Sequence, residues 1–261
     1  LTPTVRTPRH LRKSLGSHRL GTVLSPLWKP ENLNWWIGCI FAIGSLLFAV
    51  ASLLTLLPAL AAACSLQPYI NAIFFSGSIP FTLAAWLQLY QAANAHPQVG
   101  TTRKWFGWRP QDVGWRSCAL QFAGTLLFNI NTYDAMLPSL SWMQQDLAVW
   151  TPDVIGSILF LSSGYLAFVE VNQGQSWFQP RQLSWWVVFA NLLGCIGFMI
   201  SAVYAIALPE AHEAWSTISI GLTLVGAIFF LLGSLLMLEE AIKSELPSER
   251  ELGRLPETAE L

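Results

Sequence analysis

Apolar residues along this chain do not fall into one-sided stripes. They gather in six long runs, at about Trp35 to Thr55, Tyr69 to Tyr90, Trp115 to Tyr133, Asp153 to Glu170, Trp185 to Ala205 and Ser216 to Leu238, each apolar all round and set off by polar segments. A helix rises 1.5 Å per residue, so about 20 such residues cross a hydrocarbon layer of roughly 30 Å. A helix on a soluble core hides one face and wets the other. The pattern therefore predicts an all-α integral membrane protein with six transmembrane helices.

The runs are related to one another. Pro30, Trp35, Gly44 and Phe48 recur at the same spacing as Pro110, Trp115, Gly124 and Phe128, and again as Pro180, Trp185, Gly194 and Phe198. Each copy opens a pair of runs, which predicts three tandem helical hairpins over 30–95, 103–173 and 177–241. Two-helix units repeated in tandem keep one orientation, so the repeats are parallel and share a pseudo-threefold axis along the membrane normal. A basic tail, 1–29, precedes this domain and a charged tail, 242–261, follows it.

Proline is tolerated at a helix start, and tryptophan favours the headgroup layer, so Trp35, Trp115 and Trp185 are expected as half-wet interfacial anchors. The stretch from Arg103 to Trp115, rich in tryptophan and basic residues, reads as an interfacial segment feeding the third span. Lying between two spans, it is not expected to bind nucleic acid. From the tryptophan inward, Gly44, Gly124 and Gly194 lie about 13 Å deep, near the middle of the bilayer. With Gly77, Gly164 and Gly233 of the second helices they form an expected set of helix-packing contacts, since small residues let membrane helices approach closely.

Charge orients the bundle. All 14 Lys and Arg residues fall in the tails, in the loops between spans two and three and spans four and five, or, for Arg116, at the first turn of span three beside that loop, and none in the three opposite loops. The positive-inside rule then places both termini in the cytoplasm. Residues 1–30 hold six of the basic residues and no Asp or Glu, a composition suited to anionic lipid at about 1 kcal/mol per basic residue near the surface. A bacterial inner membrane is the expected location. An organellar membrane is the alternative, since transit peptides share that bias.

Composition fits the membrane class: 53% of residues are hydrophobic, 11% are charged and 13 are tryptophan. It offers little chemistry. The four histidines, His10, His18, His96 and His212, lie in tails and loops without metal-ligand spacing. Cys39, Cys118 and Cys195 sit inside spans and Cys64 outside. No phosphate loop, dinucleotide fingerprint, nucleophile elbow or HExxH occurs, so neither enzyme activity, cofactor nor metal is expected.

Polar residues at helix depth remain. Asn129, Asn131, Thr132 and Asp134 crowd the outer end of span three, with Gln121 deeper; Asn71 and Asn191 lie in spans two and five. They read either as helix-to-helix hydrogen bonds, worth about 0.6 kcal/mol each, or as an acidic vestibule opening outward. Glu170 and Glu239, each six residues after the second-helix glycine of its hairpin, are candidate inner carboxylates, with Leu83 at that place in the first hairpin.

The stretches Gly44-Ser45-Leu46-Leu47-Phe48 and Phe229-Phe230-Leu231-Leu232-Gly233-Ser234-Leu235-Leu236 resemble the glycine-serine signature of the YrhK-like bacterial membrane hairpins. Hairpin two departs from it with Gly124-Thr125 and Gly164-Tyr165. The resemblance implies the paired-helix architecture and carries no activity or cofactor with it. The expected role is structural or one of interaction within the membrane, with partners beyond the bilayer open. The alternative is a small channel or transporter for a cation or small solute, and convergence of Gln121, Asn71 and Asn191 on one cavity would favour it.

Overall fold

The computed structural model describes residues 31–95, 103–138, 140–173, 177–206 and 213–243. The basic tail with its lipid-binding expectation, Pro30, all four histidines and nearly all of the C-terminal tail lie outside them. The described residues are helical, with no strand among them. Six long helices occupy the six apolar runs: α1 Leu33–Leu56, α2 Ile70–Ala93, α3 Val113–Asp134, α4 Thr151–Asn172, α5 Leu183–Tyr204 and α6 Glu213–Lys243. Five of them are long and apolar enough to cross a membrane. The exception, α3, is as long but carries too many polar side chains to meet that standard. The chain is thus an all-α, multi-pass membrane protein.

Local chemistry sets the helix ends. The Asn32 side chain accepts from the backbone N–H of Asn34 at 2.9 Å to open α1, and Asp112 accepts from Trp115 N–H at 3.0 Å to open α3, each capping a donor the first turn leaves unpaired. Between α1 and α2 the chain makes a short helix, Pro58–Ala63, and turns at Ser65, whose φ of 56° is left-handed. A capping box between Ser141 and Gln144 opens Trp142–Gln145, and a π-helical turn at Asp146–Trp150 joins it to α4. Pro80 sits inside α2, which runs on through it.

Successive helices are antiparallel neighbours, and α6 returns to pack against α1, so the six close into a ring. Asn32 Nδ2 donates to Ala241 O at 3.4 Å across that closure, and Gly38 lies under Leu238, where a Cβ would come within 2.8 Å of its Cδ2. One end of the ring gathers Lys104, Arg109, Arg116, Arg181 and Lys243, and is called the basic end below.

The ring is held by a reciprocal contact made once in each hairpin. A Cβ on Gly44 would meet Gly77 O and the Phe81 ring at 3.0 Å, and one on Gly77 would meet Phe48 at 2.8 Å. In the second hairpin Gly124 lies under Phe160 at 2.6 Å and Gly156 under Phe128 at 3.3 Å; in the third, Gly194 lies under Phe230 at 2.9 Å and Gly226 under Phe198 at 2.5 Å. Each glycine makes room for the phenylalanine four residues after its partner glycine.

The partners of Gly124 and Gly194 are therefore Gly156 and Gly226, rather than Gly164 and Gly233. Gly164 instead approaches Cys195 of the next hairpin, with a Cβ position 3.0 Å from Sγ, and Gly233 faces Asn191. Both still serve close packing, at other contacts.

Side chains on a helix lean toward its N-terminus. Phe48, Phe128 and Phe198 ride on helices that start at the basic end and lean that way, while Phe81, Phe160 and Phe230 lean the opposite way. The two tiers meet on the axis, with ring centroids 5.4 Å apart for Phe48 and Phe81, 4.9 Å for Phe128 and Phe160 and 5.2 Å for Phe198 and Phe230. Rings also touch between hairpins, Phe48 to Phe198 at 5.8 Å and Phe81 and Phe160 to Phe230 at 5.9 Å. All but the tilted Phe48–Phe198 pair meet edge to face, an arrangement that adds about 0.5 to 1.5 kcal/mol per pair beyond the area buried.

The tryptophans depart from the half-wet expectation. Trp35, Trp115 and Trp185 are 7%, 7% and 4% exposed. All three stand at the third position of their helices, and Trp115 and Trp185 turn inward under the segments that precede them: Trp115 Nε1 donates to Phe106 O at 3.2 Å and Trp185 Nε1 to Trp177 O at 2.9 Å. On the segments that lead into α3 and α5, Trp105, Phe106, Trp108, Trp177 and Phe178 are exposed, as are Trp36 and Trp186 beside the buried tryptophans. Gly107, at a left-handed φ of 35°, lets that loop lie against Ala93, and Asn94 holds it by exchanging two bonds with the Lys104 backbone, at 2.7 and 2.9 Å.

Candidate functional site

Between the phenylalanine tiers and the basic end, the ring encloses a cavity of about 110 Å³ on its axis, and all six helices line it. Its ceiling is Phe41, Phe160 and Phe230. The walls are unusually polar for the inside of a membrane bundle: Gln88 and Gln91 from α2, Ser117 and Gln121 from α3, Ser163 and Glu170 from α4, Asn191 from α5 and Ser234 from α6, with Asn34 of α1 at the basic end. A space of that size and polarity suits several waters or one small solute.

The polarity has a positional origin. Ten residues before Gly44, Gly124 and Gly194 stand Asn34, Gly114 and Ser184; fourteen after Gly77, Gly156 and Gly226 stand Gln91, Glu170 and Glu240. In the first hairpin these two positions join, Gln91 Nε2 donating to Asn34 Oδ1 at 3.0 Å. In the third they join through Ser184 Oγ donating to Glu240 Oε1. The second has Gly114, with no side chain to offer, and its Glu170, 3% exposed, lines the cavity.

The two carboxylates singled out by sequence are thus separated. Glu170 is enclosed, whereas Glu239 is on the surface and pairs with Lys243 one turn on at 2.5 Å. The residue that matches Glu170 in the third hairpin is Glu240, which an offset counted from Gly164 and Gly233 missed by one position.

Of the three residues whose convergence was in question, two meet. Gln121 and Asn191 face the cavity from α3 and α5. Asn71 is at the far end, where Nδ2 donates to Ala135 O at 2.6 Å. The Asn191 carboxamide rests on Gly233, where a Cβ would come within 2.4 Å of Oδ1. Gln88 keeps Oε1 buried with no hydrogen-bond partner.

Of the residues expected as an outer vestibule, Gln121 lines the axial cavity, and Asn129, Asn131 and Asp134 do not. Asn129 Nδ2 donates to Thr82 Oγ1 of α2 at 2.8 Å, Thr132 meets Ser78 of α2 at 3.2 Å, and Asn131 Nδ2 donates to Asp153 Oδ1 of α4 at 2.9 Å. Asp134 closes α3, half-buried. These bonds tie α3 to both of its neighbours. Ser117 and Ser163 add a reciprocal pair, each hydroxyl donating to the other's carbonyl at 2.9 and 2.8 Å.

No cluster of three or more His, Cys, Asp or Glu side chains able to hold a metal occurs among the described residues. No protein-family model, curated protein or solved structure matches the chain.

Proposed function

We propose that this chain is a six-span membrane protein of three tandem hairpins about a pseudo-threefold axis, and that it acts as a closed structural or interaction bundle without catalytic activity. The reading that both termini face the cytoplasm of a bacterial inner membrane belongs to the same proposal, with the basic end inward. The likeness to YrhK-like hairpins is kept as a proposal for the repeated unit alone. For the span count, the support is that the polar side chains of α3 turn to α2, α4 and the axis, which leaves its other face for lipid.

The observation that carries the closed-bundle reading is the phenylalanine latch: six rings interlock on the axis, where a conduit would have to run. A second reading, a transporter closed on one side, is favoured by the convergence of Gln121 and Asn191 on the axial cavity. It requires the tiers to part. Reconstituted liposomes tested across monovalent cations, anions and small neutral solutes separate the two. The closed bundle gives no flux above empty vesicles; a reproducible flux that changes on Gln121→Leu overturns it in favour of transport.

A further inference from the structure

We infer that the axial cavity is a binding site for a small primary ammonium, with Glu170 as the counter-charge and the carboxamides around it as acceptors for the ammonium N–H groups. The inference holds for a closed bundle and for a transporter alike, since it concerns binding.

Four observations lead there. Glu170 is the one charged side chain among the described residues that lines the cavity, so the site favours a cation and disfavours an anion. An enclosed carboxylate inside a membrane bundle is expensive and marks function by default. Gln88 Oε1 is a buried acceptor with no partner, and Gln121 and Asn191 point amides into the same space without a hydrogen bond to another described residue. The ceiling presents Phe160 and Phe230, and aromatic faces attract cations. One carboxylate among carboxamides is a poor donor set for a divalent metal, which seeks several carboxylates, but suits a cation that carries its own N–H donors and a short apolar tail.

The ammonium could be a free amine or the headgroup of phosphatidylethanolamine, and a two-arm experiment tells them apart. The full chain is placed in nanodiscs of phosphatidylcholine and phosphatidylglycerol, which hold no primary amine, and thermal unfolding is followed while propylammonium chloride is titrated. The expected result is a saturable rise in Tm of about 3 °C or more, because a ligand that binds the folded state alone stabilises it by mass action. Glu170→Gln should weaken the apparent affinity at least tenfold. Should that variant not accumulate, Gln121→Leu keeps the charge and should weaken it threefold or more. In the second arm, phosphatidylethanolamine nanodiscs without added amine giving the same Glu170-dependent rise would assign the ammonium to the lipid. No shift in either arm overturns the inference, as does an equal shift with sodium chloride, tetramethylammonium chloride or neutral propionamide, or an affinity unchanged in both variants.

Discussion

Phe160 of α4 lies so close over Gly124 of α3 that a methyl group built on the glycine would sit 2.6 Å from ring carbon Cδ2, with Gly156 O 3.1 Å away on the other side. Neither neighbour yields easily, because Phe160 is 2% exposed among Phe128 and Phe230 and the carbonyl belongs to a helix. The position needs glycine for space.

Gly124→Ala should accordingly cost about 1 to 3 kcal/mol, the usual penalty for overpacking a filled core. Gly221→Ala is the control: nothing lies within 4 Å of a Cβ there, so stability should stay the same or rise by up to about 1 kcal/mol from the better helix former. Chemical denaturation in mild detergent measures both. Phe160→Leu in the Gly124→Ala background should recover part of the loss, and strict additivity of the two changes would mean that ring and glycine do not press on each other.

Asn191 and Gly233 offer a second test of fit, this time between a polar side chain and a glycine. A Cβ at 233 would come 2.4 Å from Asn191 Oδ1, so Gly233→Ala should displace that amide from the axial cavity and destabilise α5 against α6 by about 1 to 3 kcal/mol. Asn191→Ala removes the obstructing group. The double variant should then be more stable than Gly233→Ala alone; if it is less stable, the two residues are not in the contact described.

Much of this arrangement can be read from the chain before it folds. The first-helix glycines stood out because Pro, Trp, Gly and Phe hold fixed offsets over three copies, and every one of those glycines meets its hairpin partner. Their partners were harder to pick because Gly164 and Gly233 imitate the Gly-Ser composition of Gly77. The correct signal was present nonetheless: Gly77, Gly156 and Gly226 are each followed four residues later by Phe81, Phe160 and Phe230, as Gly44 is by Phe48. A helix residue that fills its partner's glycine notch repeats the Gly-to-Phe spacing on both strands of the hairpin. The cavity could not be read this way. Its wall is assembled from six helices at once, and whether Gln121 faces the axis or Asn71 faces a loop depends on rotations that a run apolar on every side does not encode.

The bonds at the far end of α3 should behave as structural ties. Asn131→Leu removes the donor to Asp153, 2.9 Å away, and leaves a carboxylate without that partner, while Asn129→Leu removes the donor to Thr82. Interhelical bonds in membranes average about 0.6 kcal/mol, with a ceiling near 1.7, so each change should lower stability within that range and the Asn131 change should cost more. A double-mutant cycle of Asn131→Leu with Asp153→Asn gives the coupling directly. A coupling near zero would show that the pair contributes nothing as a tie and would return these residues to candidacy for a vestibule.

The sharpest test of the span count falls on α3, the one long helix too polar to be assigned to the membrane on composition. Its polar groups have partners on both sides: Asn129 and Thr132 on α2, Asn131 and Ser117 on α4. A helix bonded in this way can enter a membrane beside its neighbours, because these donors already have partners on α2 and α4, and the Asn129 and Asn131 Oδ1 atoms, which have none, are buried away from lipid. If it crosses, reporter fusions after residues 100 and 176 report cytoplasm, and fusions near 64, 146 and 211 report the outside, in keeping with the basic loops at one end of the ring. The fusion near 146 decides the matter, since it follows α3 and precedes the body of α4. A cytoplasmic signal there, with 64 outside and 100 inside, would leave α3 on the surface, remove the antiparallel relation of α3 and α4, and overturn both the six-span reading and the threefold repeat that depends on it.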